Sequence, residues 1–115
     1  MTLREIAQQL NLEVKACEDM LSNEVGGGYA SDLLSDVLAH AREGDLWITL
    51  QTHQNTVAVA SLKGLAGILL VNSRAPEQET IDKAKEEGIP LLVSSLGTFE
   101  LIGRLHELGV SGTGT

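Results

Sequence analysis

Residues 45–71 read DLWITLQTHQNTVAVASLKGLAGILLV, and this stretch decides the fold. Residues 46–51 are largely apolar, which predicts a strand buried on both faces, and residues 66–71 repeat the pattern. Between the two runs, residues 56–63 favour a helix that ends at Gly64. Buried strands joined by a helix are parallel neighbours with a right-handed connection. The stretch therefore predicts one strand–helix–strand unit of an α/β sheet.

Similar patterns continue on both sides of this unit. They predict strands at 13–16 and 89–93, and helices at 3–10, 31–42, 77–87 and 99–108. The first helix opens on Thr2-Leu-Arg-Glu5, a capping box, and the second on Ser31 and Asp32 as caps. We expect a single three-layer α/β domain over residues 1–110, with a largely parallel sheet and helices on both faces, followed by a flexible tail at 111–115.

Three consecutive glycines, Gly26-Gly27-Gly28, interrupt the pattern ahead of the second helix. We interpret them as a flexible turn, although the same region can add a further strand. A dinucleotide-binding fingerprint needs a glycine three positions after Gly28, and that position is Ser31. An anion held at the helix start near Ser31 is the remaining phosphate-binding alternative.

The balance of charge argues against nucleic acid and anionic membranes as partners. Eight basic residues stand against sixteen acidic ones, for a formal charge of −8 at pH 7. The basic residues are scattered, and the closest pair, Lys83 and Lys85, lies among glutamates. Because clustered cations bind phosphate-rich partners, we predict neither nucleic acid nor membrane binding.

Cysteine use and hydropathy predict a cytoplasmic protein. Cys17 is the single cysteine, so no intrachain disulfide can form. The first residues lack the basic segment and apolar stretch of a secretory signal. Apolar runs such as 65–71 are too short to span a bilayer.

Polar turns follow three of the predicted strands. The carboxyl ends of parallel strands share one edge of the sheet, and ligands of open α/β sheets bind beyond that edge. The turns contain nine candidate ligand-binding residues: Thr52, His53, Gln54, Asn55, Asn72, Ser73, Arg74, Ser94 and Ser95. Their hydrogen-bonding groups, with Arg74 as the one fixed cation, suit a small anionic or nucleotide-like molecule.

No grouping of residues predicts catalysis or a metal site. A phosphate loop needs a lysine and a serine or threonine after its glycines, and Gly64 and Gly67 lack them. Ser94 and Ser95 have no glycine-flanked nucleophile turn. His53 is the best candidate for a functional histidine, but no histidines have metal-ligand spacing. We therefore predict that the chain is not an enzyme and uses no cofactor or metal.

The sequence contains features of two kinds of macromolecular contact. Residues 3–12 resemble the first half of a helix-turn-helix, but residues 13–19 are acidic and strand-like where a basic recognition helix should follow. DNA binding is therefore the weakest alternative. A homodimer is favoured, because Leu34, Leu38 and Leu101 lie on strongly apolar stretches of a chain of 12.2 kDa, which has little interior to bury them.

Taken together, the chain resembles the DRTGG domain family along nearly its whole length. The order of four segments carries the resemblance: residues 3–12, 27–36 (GGYASDLLSD), 44–53 (GDLWITLQTH) and 84–92 (AKEEGIPLL), the last leading into Thr98-Phe99. His53-Gln54 stands where the family has Asp-Arg, and Val71-Asn72-Ser73 stands where it has Thr-Gly-Gly. Both turns stay polar despite these replacements.

The resemblance implies a fold similar to the N-terminal domain of HPr kinase/phosphorylase. Related modules stand beside CBS domains in regulatory pyrophosphatases and in phosphate acetyltransferases, and solitary copies occur near iron-hydrogenase genes. It therefore implies a regulatory or assembly module that acts by protein contact through dimerisation, connected with hydrogenase or redox metabolism. A sensor for a small anionic or nucleotide-like ligand at the strand-end turns is the alternative.

Overall fold

The structure is a computed structural model that describes residues 1–112. Within these residues the helices are α1 (Leu3–Leu10), α2 (Leu34–His40), α3 (Asn55–Lys63), α4 (Gln78–Glu87) and α5 (Thr98–Glu107). The strands are β1 (Glu13–Ala16), β2 (Gly27–Ala30), β3 (Asp45–Thr49), β4 (Gly67–Leu70) and β5 (Leu91–Val93), with a short 3-10 helix at Glu18–Met20.

The strands form one sheet in the order β1-β5-β4-β3-β2. Strands β2 to β5 are parallel, and β1 pairs antiparallel with β5 at one end of the sheet. The predicted strand at 89–93 begins later, at Leu91, because Pro90 has no N–H to donate to a ladder, although its carbonyl accepts from Ile68 N–H at 2.9 Å. The prediction of a largely parallel sheet is confirmed.

The glycine run belongs to the sheet. Gly27 pairs with Asp45 and Gly28 with Leu46 in the parallel register of β2 and β3. The interpretation of this run as a flexible turn is therefore wrong, and the alternative of a further strand is right. Helix propensities and strand propensities both score glycine poorly, so pairing with β3 overrides the local preference here.

Different helices cover the two faces of the sheet. Side chains of a strand alternate between faces, so Trp47 packs with α2, α3 and α4 on the first face. Leu46 and Ile48 pack with α1 and α5 on the second face. Because β2 to β5 lie side by side in chain order, three successive right-handed crossovers place α2, α3 and α4 on the same face. Helices on both faces were predicted, and this is confirmed.

Helix α1 begins as predicted. The Thr2 hydroxyl accepts from Glu5 N–H at 3.2 Å, and the Glu5 carboxylate accepts from Thr2 N–H at 2.9 Å. Residues after α1 form β1 instead of a second helix, so the helix-turn-helix interpretation is wrong.

Across residues 1–112, no helix has the length and apolar character needed to cross a membrane.

Helix α2 is shorter than predicted, since it begins at Leu34 instead of Ser31 and ends at His40 instead of Arg42. Asp32 does not cap it, because its Oδ1 accepts from Thr49 Oγ1 at 2.9 Å and joins β2 to β3. The proposed anion position near Ser31 thus loses the helix start on which it depended.

The predicted tail is attached to the sheet at its first residues. Gly28 N–H donates to Ser111 O at 2.9 Å, and Gly112 forms a parallel bridge with Gly28. Residues 113–115 of the predicted tail lie outside the described residues.

Two strand glycines provide a test of the packing on the second face. A Cβ at Gly67 would lie 3.2 Å from Pro90 O and 3.3 Å from Leu3 Cδ1, so Gly67→Ala must displace backbone and α1. We expect a loss of about 1–3 kcal/mol in the free energy of unfolding, measured by urea denaturation.

Gly28→Ala is the matched control, because its Cβ would make ordinary contacts of 3.6 Å with Val110 and 3.7 Å with Ile48. This variant should be neutral, or more stable by up to about 1 kcal/mol. Equal destabilisation by the two substitutions would contradict the packing described.

Candidate functional site

The turns after β3, β4 and β5 lie at one edge of the sheet because these strands are parallel. This edge, formed by residues 50–54, 71–77 and 94–97, is termed the carboxyl edge. The turns after β3 and β4 lead to helices on the first face, whereas the turn after β5 leads to α5 on the second. Neighbouring strands whose connections diverge in this way form the usual ligand position in α/β sheets.

The turns after β4 and β5 are held together by backbone hydrogen bonds. Asn72 N–H donates to Leu96 O at 2.9 Å, and Ser73 N–H donates to Ser94 O at 2.8 Å. Asn72 and Ser73 both have a left-handed backbone, with φ of 56° and 54°, which is uncommon outside glycine. This constrained turn fixes the start of the segment that carries Arg74.

A polar cleft of about 220 Å³ lies beside these two turns and is termed the Arg74 cleft. It is lined by Asn11, Glu13, Lys15, Ser73, Arg74, Ala75, Val93 and Ser95. Lys15 Nζ forms an ion pair with Glu13 Oε1 in its wall. Two cations, one carboxylate and several neutral hydrogen-bonding groups therefore surround a space of small-molecule size. Since Glu13 is paired with Lys15, Arg74 is the cation left to face a ligand, which suits an anion better than a cation.

The Arg74 cleft contains three of the nine predicted ligand-binding residues, namely Ser73, Arg74 and Ser95. The remaining six are Thr52, His53, Gln54, Asn55, Asn72 and Ser94, and they do not line it. Ser94 is buried, and its hydroxyl accepts from Leu96 N–H at 3.1 Å.

The turn after β3 makes local contacts. Thr52 O accepts from Thr80 Oγ1 at 2.7 Å, which fastens this turn to α4. His53 Nδ1 accepts from Asn55 N–H at 3.2 Å at the start of α3, and the His53 side chain is exposed. His53, singled out from the sequence, thus shapes the turn before α3 in this structure.

Sequence reasoning missed Asn11, Glu13 and Lys15 of the Arg74 cleft. The antiparallel pairing of Glu13 with Val93 brings the start of β1 to the carboxyl edge. The alternation of residues 13–16 predicted the strand but held no signal for which strand it pairs with.

The two ends of the sheet differ in charge. The outer strand β1 carries Glu13 and Lys15 and has a register shift after Val14, features that discourage pairing with another chain. The outer strand at the other end, β2, reads GGYA and has no charged side chain. Strand β2, residues 31–33 and helix α2 together are termed the β2–α2 edge.

The β2–α2 edge exposes apolar side chains. Leu33 is 63% exposed and Leu38 is 39% exposed, and Leu34 lies one helical turn before Leu38. Leu101, the third residue of the predicted dimer surface, is fully buried on the second face, so its inclusion was wrong. Amphipathic spacing placed Leu101 on the apolar side of α5 but could not show that the sheet covers it.

Tyr29 and Asp36 fasten α2 to β2. The Tyr29 hydroxyl donates to Asp36 Oδ2 at 2.7 Å, and His40 Nδ1 lies 3.1 Å from Asp36 Oδ1. The hydrogen bond from Tyr29, followed by one from Ser31, lowers the pKa of the Asp36 carboxyl, and the same Tyr29 bond raises the pKa of the phenol. Asp36 is therefore a carboxylate whose charge is offset locally.

The remaining reactive groups take structural positions. Burial raises the pKa of the Cys17 thiol, and its sulfur donates to Ala84 O at 3.3 Å, so the protonated form is favoured. Within residues 1–112, no three histidine, cysteine, aspartate or glutamate side chains are placed to hold a metal ion together.

Comparison with known proteins identifies a family. Residues 5–108 match the model of the DRTGG domain. No curated protein matches the chain. The fold is similar to the crystal structure of the CBS and DRTGG domains of the regulatory region of Clostridium perfringens pyrophosphatase, complexed with its activator diadenosine tetraphosphate. The TM-score is 0.71 at 17% identity, and the match covers 89% of this chain but 44% of the other.

The Tyr29–Asp36 bond predicts a pH-dependent stability difference. A carboxyl whose pKa is lowered on folding stabilises the fold at neutral pH and loses that contribution as pH falls and it becomes protonated. Tyr29→Phe should therefore lower the free energy of unfolding at about pH 7, with the difference shrinking toward about pH 3. Urea denaturation across this range measures it.

The same substitution made in an Asp36→Asn background is the control, because no carboxyl is then present at that position to titrate. It should produce a difference that does not change with pH. A pH-independent effect of Tyr29→Phe in the unmodified chain would contradict the assignment.

Proposed function

The chain belongs to the DRTGG domain family, and from this premise we propose that it is a regulatory module, not an enzyme, that acts by contact between two copies. The contact surface is the β2–α2 edge. The observation that carries the proposal is the contrast between this edge, where β2 has no charged side chain and leucines are exposed, and the charged, irregular edge at β1.

Charge favours this edge over other surfaces. Two copies with a formal charge of −8 repel each other, so a stable contact needs a surface with little net charge. Between residues 25 and 41 the charged residues are Asp32 and Asp36. Each accepts hydrogen bonds from neighbouring residues, namely Thr49 for Asp32 and Tyr29 for Asp36.

The backbone of β2 also supports the proposal. Alternate residues of a strand direct their backbone groups to opposite sides, and Ser31 N–H points inward to Ile48 O at 3.2 Å. Gly28 N–H points outward, where it meets Ser111, and Ala30 shares that direction. Because residues 111 and 112 already pair with Gly28, the backbone contact that β2 can offer to a second copy is at Ala30, next to the exposed leucines of the β2–α2 edge.

The regulatory character rests on the family and on the fold. The similar Clostridium perfringens structure is a regulatory region in which this kind of domain accompanies CBS domains. That protein's activator is not thereby a ligand of this chain. Rearrangement at the interface between chains is one structural means of regulation, which is consistent with a role for the β2–α2 edge.

A charge placed on the β2–α2 edge tests this proposal. In light scattering at micromolar concentration, the unmodified chain should have twice the monomer mass of 12.2 kDa. Leu38→Glu should raise the dimer dissociation constant by at least about tenfold, because a carboxylate would be desolvated in the contact.

The matched control is Leu62→Glu on α3, which places the same charge at a leucine that is 77% exposed outside this edge. It should leave the mass unchanged. A monomer mass for the unmodified chain, or equal dissociation by both variants, would refute the proposal.

A second function, sensing a small anionic or nucleotide-like ligand, is favoured by the Arg74 cleft. The cleft is lined by Arg74 and Lys15. It lies beside the turns after β4 and β5, which lead to helices on opposite faces of the sheet. The guanidinium can give two hydrogen bonds to a phosphate or carboxylate, whereas Lys15 already shares its charge with Glu13. Arg74 is therefore the main anion-binding group of this proposal.

Thermal unfolding with inorganic phosphate, ATP and diadenosine tetraphosphate tests the second function. A ligand at about 100 times its dissociation constant adds about 2.7 kcal/mol of stability. Arg74→Ala should weaken binding by at least about tenfold, since a charge-assisted hydrogen bond is lost. The control is Lys63→Ala, which removes a cation outside the cleft and should leave binding unchanged. Equal binding by the unmodified chain, Arg74→Ala and Lys63→Ala would argue against sensing, as would no binding by the unmodified chain.

Other sequence-based statements stay predictions. These are the cytoplasmic location, the absence of catalysis and cofactors, the absence of nucleic acid and membrane partners, and the connection with hydrogenase or redox metabolism.

A further inference from the structure

The second face of the sheet is covered unevenly. Five strands about 4.8 Å apart form a surface roughly 24 Å wide, which two helices about 10 Å across leave partly bare. Helix α1 lies toward β4 and β5, since Leu3 approaches the Gly67 position next to Pro90. Helix α5 reaches the other side with Ile102 and Leu105, but no further helix of residues 1–112 covers β2 there.

An apolar crevice remains between α5 and β2. Its volume is about 160 Å³, and it is lined by Gly28, Ala30, Ile48, Ile102, Leu105, His106, Val110, Ser111 and Gly112. Gly28 has no side chain and Ala30 has only a methyl group, so β2 itself fills little of the crevice. The segment 110–112, bound to Gly28, forms the outer wall.

The lining defines what the crevice can hold. Ile48, Ile102, Leu105 and Val110 supply branched apolar surface, and among residues 1–112 no lysine, arginine, aspartate or glutamate lines the crevice. A phosphate or carboxylate would lose its hydration there without gaining a cation. His106 and Ser111 stand in the lining as hydrogen-bonding groups. A dry cavity of roughly 150 Å³ with aliphatic walls is known to accept benzene, so the volume is sufficient for one small ring.

We infer that this crevice is a binding site for a small, uncharged, mainly apolar molecule, with one polar group able to reach His106 or Ser111. The crevice shares Gly28 and Ala30 with the β2–α2 edge, but it lies on the second face of the sheet, whereas α2 packs on the first. It shares no residue with the Arg74 cleft. Its ligand class is opposite in character to that of the cleft, which is lined by Arg74, Lys15 and Glu13 and lies at the carboxyl edge.

Benzene and indole are the probes. Both should shift the methyl NMR signals of Ile48, Ile102, Leu105 and Val110 saturably, whereas inorganic phosphate should leave them unchanged. Ala30→Leu fills the crevice and should weaken binding at least tenfold. Ala58→Leu, the same substitution at an exposed position of α3, is the matched control and should bind as the unmodified chain does.

Three results would overturn the inference. These are the absence of a saturable shift at the four residues, equal binding by Ala30→Leu and Ala58→Leu, and methyl shifts that follow protein concentration but not the probe. The last result would mean that a second copy occupies the crevice. A monomeric protein that binds indole would instead leave this inference standing while refuting the proposed dimer.

Discussion

The burial of β3 and β4 between two layers of helices is the constraint on which the rest of the structure depends. All residues of both strands are buried, including the large side chains Trp47 and Leu70. Strands buried on both faces are typical of a parallel sheet that helices cover on both sides. With β2 and β5 added in chain order, right-handed crossovers then fix which face each of α2, α3 and α4 covers. The carboxyl edge, the crevice between α5 and β2, and the charged end at β1 all follow from that arrangement.

The two candidate surfaces lie at opposite ends of the sheet for the same reason. A sheet that runs in one direction has no reversal of strand order among β2 to β5, so its centre offers no crevice between strands. The connections after β4 and β5 lead to opposite faces of the sheet. Beside them, the antiparallel strand β1 contributes Lys15 to the cleft that Arg74 also lines. At the other end, the sheet stops at β2, whose residues on the second face, Gly28 and Ala30, are small. Both candidate surfaces therefore lie at the margins of the sheet and not at its centre.

The sequence was informative where a pattern is self-contained. The apolar runs at 46–51 and 66–71 predicted buried strands, and the Thr2–Glu5 capping box predicted the first turn of α1, because each depends on neighbouring residues alone. Strand β2 was obscured because glycine has poor strand propensity, and its pairing with β3 is a long-range effect. The contribution of Lys15 to the cleft depends on which strand β1 joins, and the burial of Leu101 depends on the position of α5 over the sheet. Neither the place of Lys15 nor the burial of Leu101 can be predicted from the local periodicity of the sequence.

The position of β1 bears on the order in which the chain can assemble. Paired residues of β2 and β3, such as Gly27 and Asp45, are 18 positions apart, and those of β3 and β4, such as Leu46 and Gly67, are 21 apart. Glu13 and Val93 are 80 positions apart. Since each doubling of a closed loop costs about 0.6 kcal/mol of chain entropy, this last pairing costs about 1.2 kcal/mol more than the others. During synthesis, β2, β3 and β4 can associate as they leave the ribosome, while β1 waits for β5. Strand β1, the first to be synthesised, is thus among the last to pair.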